Sequence, residues 1–184
     1  AAKGTTMYLE EKEFAAGESR TNPIVMEDNE YTFTKAGAAD LWLQYNVTED
    51  GVLDFACDHG YNGGSDRIEI FKNEEPYGTT MMGTETVGSV STTVYKGKVV
   101  VSKGDKLYIH CVIAGKVTGS KIKFTKHEAE PGETVTNPLV LTKGKTVTIT
   151  GASRSTPVWM KASLPAGTTT FRLSSYLMTA LYNS

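Results

Sequence analysis

Short segments that alternate between hydrophobic and polar residues recur along the chain, separated by Gly, Asn, Asp and Pro. EYTFTK (30–35), ADLWLQYNV (39–47), GVLDFAC (51–57) and RIEIF (67–71) have the two-residue period of half-buried β-strands. Two more strands are predicted within 92–115, joined by the turn SKGD, and GSKIKFT (119–125) supplies another. Amphipathic-helix spacing is not found. The pattern predicts an all-β chain, with about eight strands in each domain-sized unit.

Turn signals recur every 8–12 residues or so, which is typical of an antiparallel β-sandwich of the jelly-roll kind. The Asp-Gly pair at 50–51 predicts a hairpin between ADLWLQYNV and GVLDFAC. The polar, glycine-containing stretch 74–91 is predicted to be a mobile loop.

One seven-residue phrase occurs twice, as GESRTNP from Gly17 and as GETVTNP from Gly132. The flanking segments match without a gap at an offset of 115 positions, starting from Gly4 and Gly119. Further along, YTFT matches VTIT, LWLQY matches VWMKA, and GVLDFACD matches GTTTFRLS. This period is that of a domain, well above the roughly 20–50 residues of solenoid repeats. The sequence therefore predicts tandem duplication of a β-sandwich.

The duplication divides the chain into three parts. Residues 1–16 are a linker or the last strand of a preceding copy, 17–127 are a complete sandwich, and 128–184 are a partial second copy. A partial sandwich leaves an apolar face and an open edge. We expect the strand at 5–10 to pair with the partial copy and cover them. The alternatives are the complete copy, another chain through self-association, or residues outside this sequence. In the alternative, both halves pack as one irregular sandwich.

Composition excludes several classes of partner. The 184 residues carry a formal net charge of −2, with 39% hydrophobic and 22% charged residues. Such a balance gives no electrostatic reason to expect binding to nucleic acid or to an anionic membrane. No apolar run approaches the roughly 20 residues that span a bilayer. The opening AAKGTT does not resemble a signal peptide, and it fits a mature exported chain or an excised segment.

The two cysteines fit no metal-binding or redox motif. Cys57 shares one strand face with Phe55, and Cys111 shares one with Ile109, so both are predicted to point inward. Two interpretations stay open: a pair of buried free thiols, or a disulfide between strands or sheets in an oxidising compartment.

The loop DHGYNGGSD (58–66) is the candidate metal site. Asp58, Asn62 and Asp66 offer oxygen ligands on a glycine-rich loop, and Glu69 follows, so the set could hold a calcium ion. The spacing is not that of an EF-hand. The alternative is a polar surface loop whose Asp and Asn serve turn chemistry.

No motif indicates catalysis. The chain contains neither GxSxG nor HExxH, His110 is predicted to alternate outward from Cys111, and a buried thiol is a poor nucleophile. Exposed aromatic rings instead suggest sugar binding, because a planar ring can stack on the apolar face of a pyranose. Tyr61 and Tyr77 lie in predicted loops. Trp42 and Trp159 occupy matching positions with apolar neighbours, so each is a candidate either for the core or for ligand contact.

The order YTFT, LWLQYNVTEDGVLDFACD, SDRIEIFKN, VVVSKGDKLYIHC and GSKIKFT resembles the jelly-roll modules of exported bacterial proteins. The likeness is to the pre-peptidase C-terminal type and to lectin-like and CUB-like modules. The lead-in E-x-x-x-N-P is similar to repeated surface modules of Bacteroidetes. The resemblance covers about 110 residues once and about 50 more in part. It implies a non-catalytic accessory role at the cell surface or in a secreted protein.

Three functional hypotheses follow from these residues. The leading one is an exported, non-catalytic binding or adhesion module that contacts a glycan or a surface protein through loops 58–66 and 74–91. The first alternative is a dedicated carbohydrate-binding module. The second is a structural spacer, or an assembly subunit whose partial copy is completed by another chain.

Overall fold

A computed structural model describes residues 13–34, 37–61, 63–149, 158–164 and 166. These residues contain twelve β-strands, and no helix occurs among them. The strands are β1 (Ile24–Val25), β2 (Glu30–Thr32), β3 (Ala39–Asn46), β4 (Gly51–Cys57), β5 (Arg67–Lys72), β6 (Thr79–Thr80), β7 (Gly83–Val87), β8 (Val90–Val101), β9 (Lys106–Ile113), β10 (Lys121–His127), β11 (Leu139–Leu141) and β12 (Met160–Ala162). The predicted all-β class is confirmed.

Two five-stranded sheets make up the main body. The first sheet has the order β1-β3-β9-β5-β6, and the second has the order β2-β10-β4-β8-β7. All neighbouring strands are antiparallel except β1 and β3, which run parallel. A separate pair, β11 and β12, is also parallel.

The core lies between the two sheets. Strand β9 buries every second residue, as its predicted alternation requires, and β4 and β10 do the same from the opposite sheet. The rings of Tyr45, in the first sheet, and Phe124, in the second, stack with centroids 4.9 Å apart. A fully buried side chain of this size, such as Phe124, stabilises the fold by ~1.5–3 kcal/mol. The arrangement is therefore sandwich-like.

Two local predictions are wrong. The Asp-Gly pair does not make a hairpin, because β3 joins the first sheet and β4 joins the second. The segment between them crosses from one layer to the other. The predicted loop 74–91 contains β6, β7 and the start of β8. By contrast, the SKGD turn is present: the Asp105 backbone N–H donates to the Ser102 carbonyl at 3.0 Å, and Gly104 has φ +93°.

Candidate binding face

The outer face of the first sheet carries a group of large aromatic side chains. On β3, Leu41 and Leu43 point into the core, so Trp42 between them points outward and is half-buried. The interpretation of Trp42 as a core residue is therefore wrong. Alternation alone could not decide this, since Trp42 and its neighbours are all apolar. The prediction that His110 points outward is confirmed, because Ile109 and Cys111 are fully buried.

These rings pack on one another across three strands. Trp42 and His110 are paired residues of β3 and β9, and their rings stack at 4.2 Å with an interplanar angle of 6°. The Phe71 ring of β5 lies 5.4 Å from Trp42 at 41°. We call Trp42, Phe71, Tyr77, Tyr108 and His110 the aromatic face.

Arg20 joins the Gly17 turn to the aromatic face. Its guanidinium carbon lies 4.9 Å from the Phe71 ring centroid and 4.8 Å from that of Tyr108, which are cation–π distances. Its N–H groups donate to the carbonyls of Glu75, at 2.9 Å, and Asn73. Arg20 therefore holds the 73–78 loop against the sheet. The chain also comes close at Gly78, where a Cβ atom would lie 2.8 Å from the Phe71 ring.

This loop also carries Tyr77, which is 86% exposed and directly precedes Gly78, where the backbone approaches the Phe71 ring. Polar side chains surround the same face. His110 Nε2 lies 3.1 Å from the carboxylate of Asp40, which is itself largely exposed, and Arg67 Nε donates to Glu69 at 3.0 Å. The surface thus combines an exposed ring, a supporting aromatic stack, two carboxylates and two guanidinium groups.

Three of the four candidate calcium ligands lie among the described residues, and each of them has a different partner. Asp66 is buried, and its Oδ1 accepts from the Ala114 backbone N–H at 2.8 Å. Glu69 lies on the outer face of β5, paired with Arg67. Asp58 Oδ1 accepts from the Lys121 backbone N–H at 2.6 Å. Asn62 lies outside the described residues. Within the described ranges, no group of three or more His, Cys, Asp or Glu is placed to hold a metal ion.

Tyr61 lies away from the aromatic face. Its ring packs edge-on against Tyr95 of β8, with centroids 5.9 Å apart, and it contacts the core between the sheets. Burial, with the nearby Asp66 charge, raises the pKa of the Tyr95 hydroxyl. Among the residues that the structure describes, neither this hydroxyl nor Asp66 Oδ2 has a hydrogen-bond partner.

Both cysteines are buried, which confirms the prediction that they point inward, and both are free thiols. Cys57 lies in β4 and Cys111 in β9, so they belong to opposite sheets. Burial raises the pKa of Cys57 to about 11, and it raises the pKa of Cys111 well above its ordinary value. Of the two interpretations left open, the structure adopts the free thiols.

The doubled phrase forms the same turn in both places. The N–H of Gly17 donates to the Asn22 carbonyl at 2.7 Å, and that of Gly132 donates to the Asn137 carbonyl at 2.6 Å. Trp42 donates its backbone N–H to Gly17 at 2.8 Å, and Trp159 donates to Gly132 at 2.7 Å. The strand after each turn pairs in parallel with the strand at the tryptophan.

Sequence reasoning named Trp42 and Tyr77 but missed Arg20, Tyr108 and Phe71. The alternation of Tyr108 and His110 with buried Leu107 and Ile109 was the available signal for an outer aromatic row. Nothing in the sequence placed Arg20 over that row, because its contacts lie more than 50 positions away.

No protein-family model, curated protein or solved structure matches this chain. In the described part of the chain, no helix is long and apolar enough to cross a membrane.

Proposed function

We propose that the protein is a non-catalytic binding module that holds a glycan on the aromatic face. Tyr77 is the observation that carries the proposal. An 86%-exposed ring on a loop fixed by Arg20 offers a stacking surface at little cost in conformational entropy. Asp40, Glu69 and Arg67 stand nearby to exchange hydrogen bonds with sugar hydroxyls.

The non-catalytic part of the proposal rests on the absence of an activated nucleophile among the described residues. Both thiols are buried with raised pKa values, which keeps them protonated and unreactive. The carboxylate of Glu69 is held by Arg67, and that of Asp40 lies beside His110. Carboxylates and side-chain N–H groups that are already paired in this way can exchange hydrogen bonds with a neutral, hydroxyl-rich ligand.

We also propose that the module is a jelly-roll-like sandwich duplicated in tandem, in an exported bacterial cell-surface or secreted protein. The duplication is supported by the matched turns. Besides the shared backbone bonds, Asn22 Nδ2 donates to the Phe14 carbonyl at 2.6 Å and Asn137 Nδ2 donates to Ala129 at 2.9 Å. Gly17 and Gly132 share the left-handed region, with φ +87° and φ +96°.

The test is glycan binding by matched surface variants of the full chain. Affinity gels containing a panel of polysaccharides would identify a retained glycan, and titration would then give its affinity. We expect Tyr77→Ala to weaken binding at least tenfold. Val87→Ala, a change at an exposed residue of β7 in the other sheet, should bind like the wild type. Tyr61→Phe, in the core-packed loop, should do so as well.

Two outcomes would refute glycan binding at this face. One is a chain that is retained by none of the polysaccharides. The other is a Tyr77→Ala variant that binds the retained glycan as well as Val87→Ala does. Binding of a surface protein, lost in the same Tyr77→Ala variant, would keep the site and change the ligand class.

A structural spacer or assembly subunit is the second candidate. It is favoured by exposed apolar side chains in the second copy, at Val135, Val140 and Leu164. Another chain that completed this copy would bury them. Sedimentation velocity would then detect a concentration-dependent oligomer, which Val140→Glu should weaken. A monomer that binds no hydrophobic dye would contradict this candidate.

A further inference from the structure

A cluster of charged side chains lies on the outer face of the second sheet, opposite to the aromatic face. Asp54 of β4, Lys98 of β8 and His127 at the end of β10 all contact one another or a shared partner. That partner is Glu133, in the Gly132 turn that opens the second copy. We call Asp54, Lys98 and His127 the docking site.

Glu133 uses both of its carboxylate oxygens. Oε1 accepts from Lys98 Nζ, while Oε2 lies 2.8 Å from His127 Nε2 and also accepts from the Glu130 backbone N–H at 2.8 Å. On the other side of the imidazole, Nδ1 lies 2.8 Å from Asp54 Oδ2 in an ion pair that is not aligned as a hydrogen bond. The side chain of Glu133 is only 14% exposed.

Burial of Val52 indicates that the docking site is covered. Val52 alternates with the core residues Leu53 and Phe55, so it points away from the core, yet it is only 1% exposed. It pairs with His127 on one side and Val100 on the other. The Glu133 turn is the segment that contacts His127 here. The ion pairs of Glu133 thus occur beside an apolar side chain, Val52, that is buried on the outer face of the second sheet.

Glu18, in the Gly17 turn, offers a comparison for Glu133. Glu18 occupies the same position, and its Oε2 accepts from the Ala15 backbone N–H at 2.9 Å, as Glu133 accepts from Glu130. The glutamate therefore stabilises its own turn in both copies. Glu133 also contacts Lys98 and His127, and these two contacts link the second copy to the first.

We propose that Asp54, Lys98 and His127 recognise Glu133 and hold the second copy against the second sheet, more tightly when His127 is protonated. The partner is a second copy of the same module, identified by the glutamate of its Gly-Glu turn. Describing it as a copy rests on the proposed duplication, whereas the contacts themselves do not.

The pH dependence follows from the groups around His127. Burial lowers the pKa of His127, but Glu133 and Asp54 outweigh it, and the net pKa lies above the ordinary 6.5. Burial opposes ionisation of Glu133, yet Lys98, the Glu130 N–H and His127 bring its pKa down to about 2. Lys98 has a raised pKa and stays charged throughout. The neighbouring Lys126 pairs with Glu49 instead.

These directions fix the range of pH over which docking is strongest. Because the pKa of His127 is raised in the docked state, its contribution to docking is fully present below pH 6.5. That contribution is lost as the pH rises through the higher pKa that His127 has when docked. Because the pKa of Glu133 is lowered in the docked state, its contribution to docking is present above pH 4.5 and is lost as the pH falls toward about 2. Docking should be strongest between these limits.

The experiment compares Glu133→Gln with the matched Glu18→Gln in the full chain. Amide hydrogen exchange, corrected for intrinsic rates, reports protection of β11 and of β9 separately. We expect Glu133→Gln to lower protection in Leu139–Leu141 at least tenfold and to leave β9 unchanged. Glu18→Gln should leave β11 unchanged. In the wild type, protection of β11 should fall severalfold between pH 5.5 and 8, and His127→Gln should flatten that profile.

Equal β11 protection in the two glutamate variants would overturn the proposal, and so would a pH profile that survives His127→Gln. If Glu133→Gln unfolds the turn, Lys98→Met removes the contact between copies without touching the turn and should give the same loss. Glycan binding is tested through Tyr77 on the opposite sheet. If Tyr77→Ala does not weaken glycan binding, the hydrogen-exchange test of docking can still be interpreted. If the docking test fails, the glycan-binding test can likewise still be interpreted.

Discussion

Substitution of Gly17 by alanine tests how tightly the first turn is built. Gly17 is buried with φ +87°, a conformation that residues with a Cβ rarely adopt. A Cβ atom there would lie 3.0 Å from Ile24 Cδ1, 3.1 Å from Ile24 Cγ1 and 3.6 Å from the Trp42 carbonyl oxygen. Ordinary contacts of this kind begin near 3.4 Å, so Ile24 must move. Gly17→Ala therefore lowers the free energy of unfolding in two ways, through the positive φ and through the displacement of Ile24.

Comparison with Gly104→Ala separates the backbone cost from the cost of displacing Ile24. It has φ +93°, but no atom lies within 4 Å of the position that a Cβ would take. Gly104→Ala should therefore show only the backbone cost, about 1–2 kcal/mol. Gly17→Ala adds displacement of Ile24, about 1–2 kcal/mol more. The expected loss of unfolding free energy is thus about 2–4 kcal/mol for Gly17→Ala, or roughly 8–16 °C in melting temperature at the ~4 °C per kcal/mol of a domain near 100 residues.

Urea unfolding followed by circular dichroism, with a thermal melt as a second measurement, would give both values. The informative quantity is the difference between the two variants, because the backbone cost is common to them. If Gly17→Ala is no less stable than Gly104→Ala, the contact with Ile24 yields freely and the turn is not tightly packed. If Gly104→Ala is itself neutral, the positive φ is not a constraint at this turn and the backbone argument fails.

Two further predictions concern the interior. Tyr95→Phe removes a buried hydroxyl that has no partner among the described residues, so stability to urea should be unchanged or up to about 1 kcal/mol higher. A loss of more than about 1.5 kcal/mol would mean that the hydroxyl is hydrogen-bonded, with Asp66 as a candidate partner because its charge acts on Tyr95. Cys57 and Cys111, buried with raised pKa values, should react with a chromogenic thiol reagent at pH 8 at least a hundredfold more slowly in the native chain than in urea. Fast native labelling would contradict their burial, and two unreactive cysteines in urea would indicate a disulfide instead.

Local sequence patterns determined much of this protein. Alternation placed β4 at its observed bounds and predicted the inward cysteines and outward His110, because neighbours along a strand point to opposite faces whatever lies beyond. The doubled phrase predicted two like turns, because Gly17 and Gly132 supply the same backbone conformation, and Asn22 and Asn137 each bond to a residue eight positions earlier in the chain.

Only the tertiary structure decided the questions that involve distant residues. It assigned β3 and β4 to different sheets, since burial of both apolar faces outweighs the hairpin tendency of Asp-Gly. It turned Trp42 outward, because Leu41 and Leu43 fill the core and β3 can offer only one face to it. It buried Asp66 and left Glu69 paired with Arg67 on the outer face of β5, and it brought Lys98 to Glu133 across 35 positions. Such choices depend on which surfaces meet when the sheets pack, and alternation within one segment carries no information about its partner.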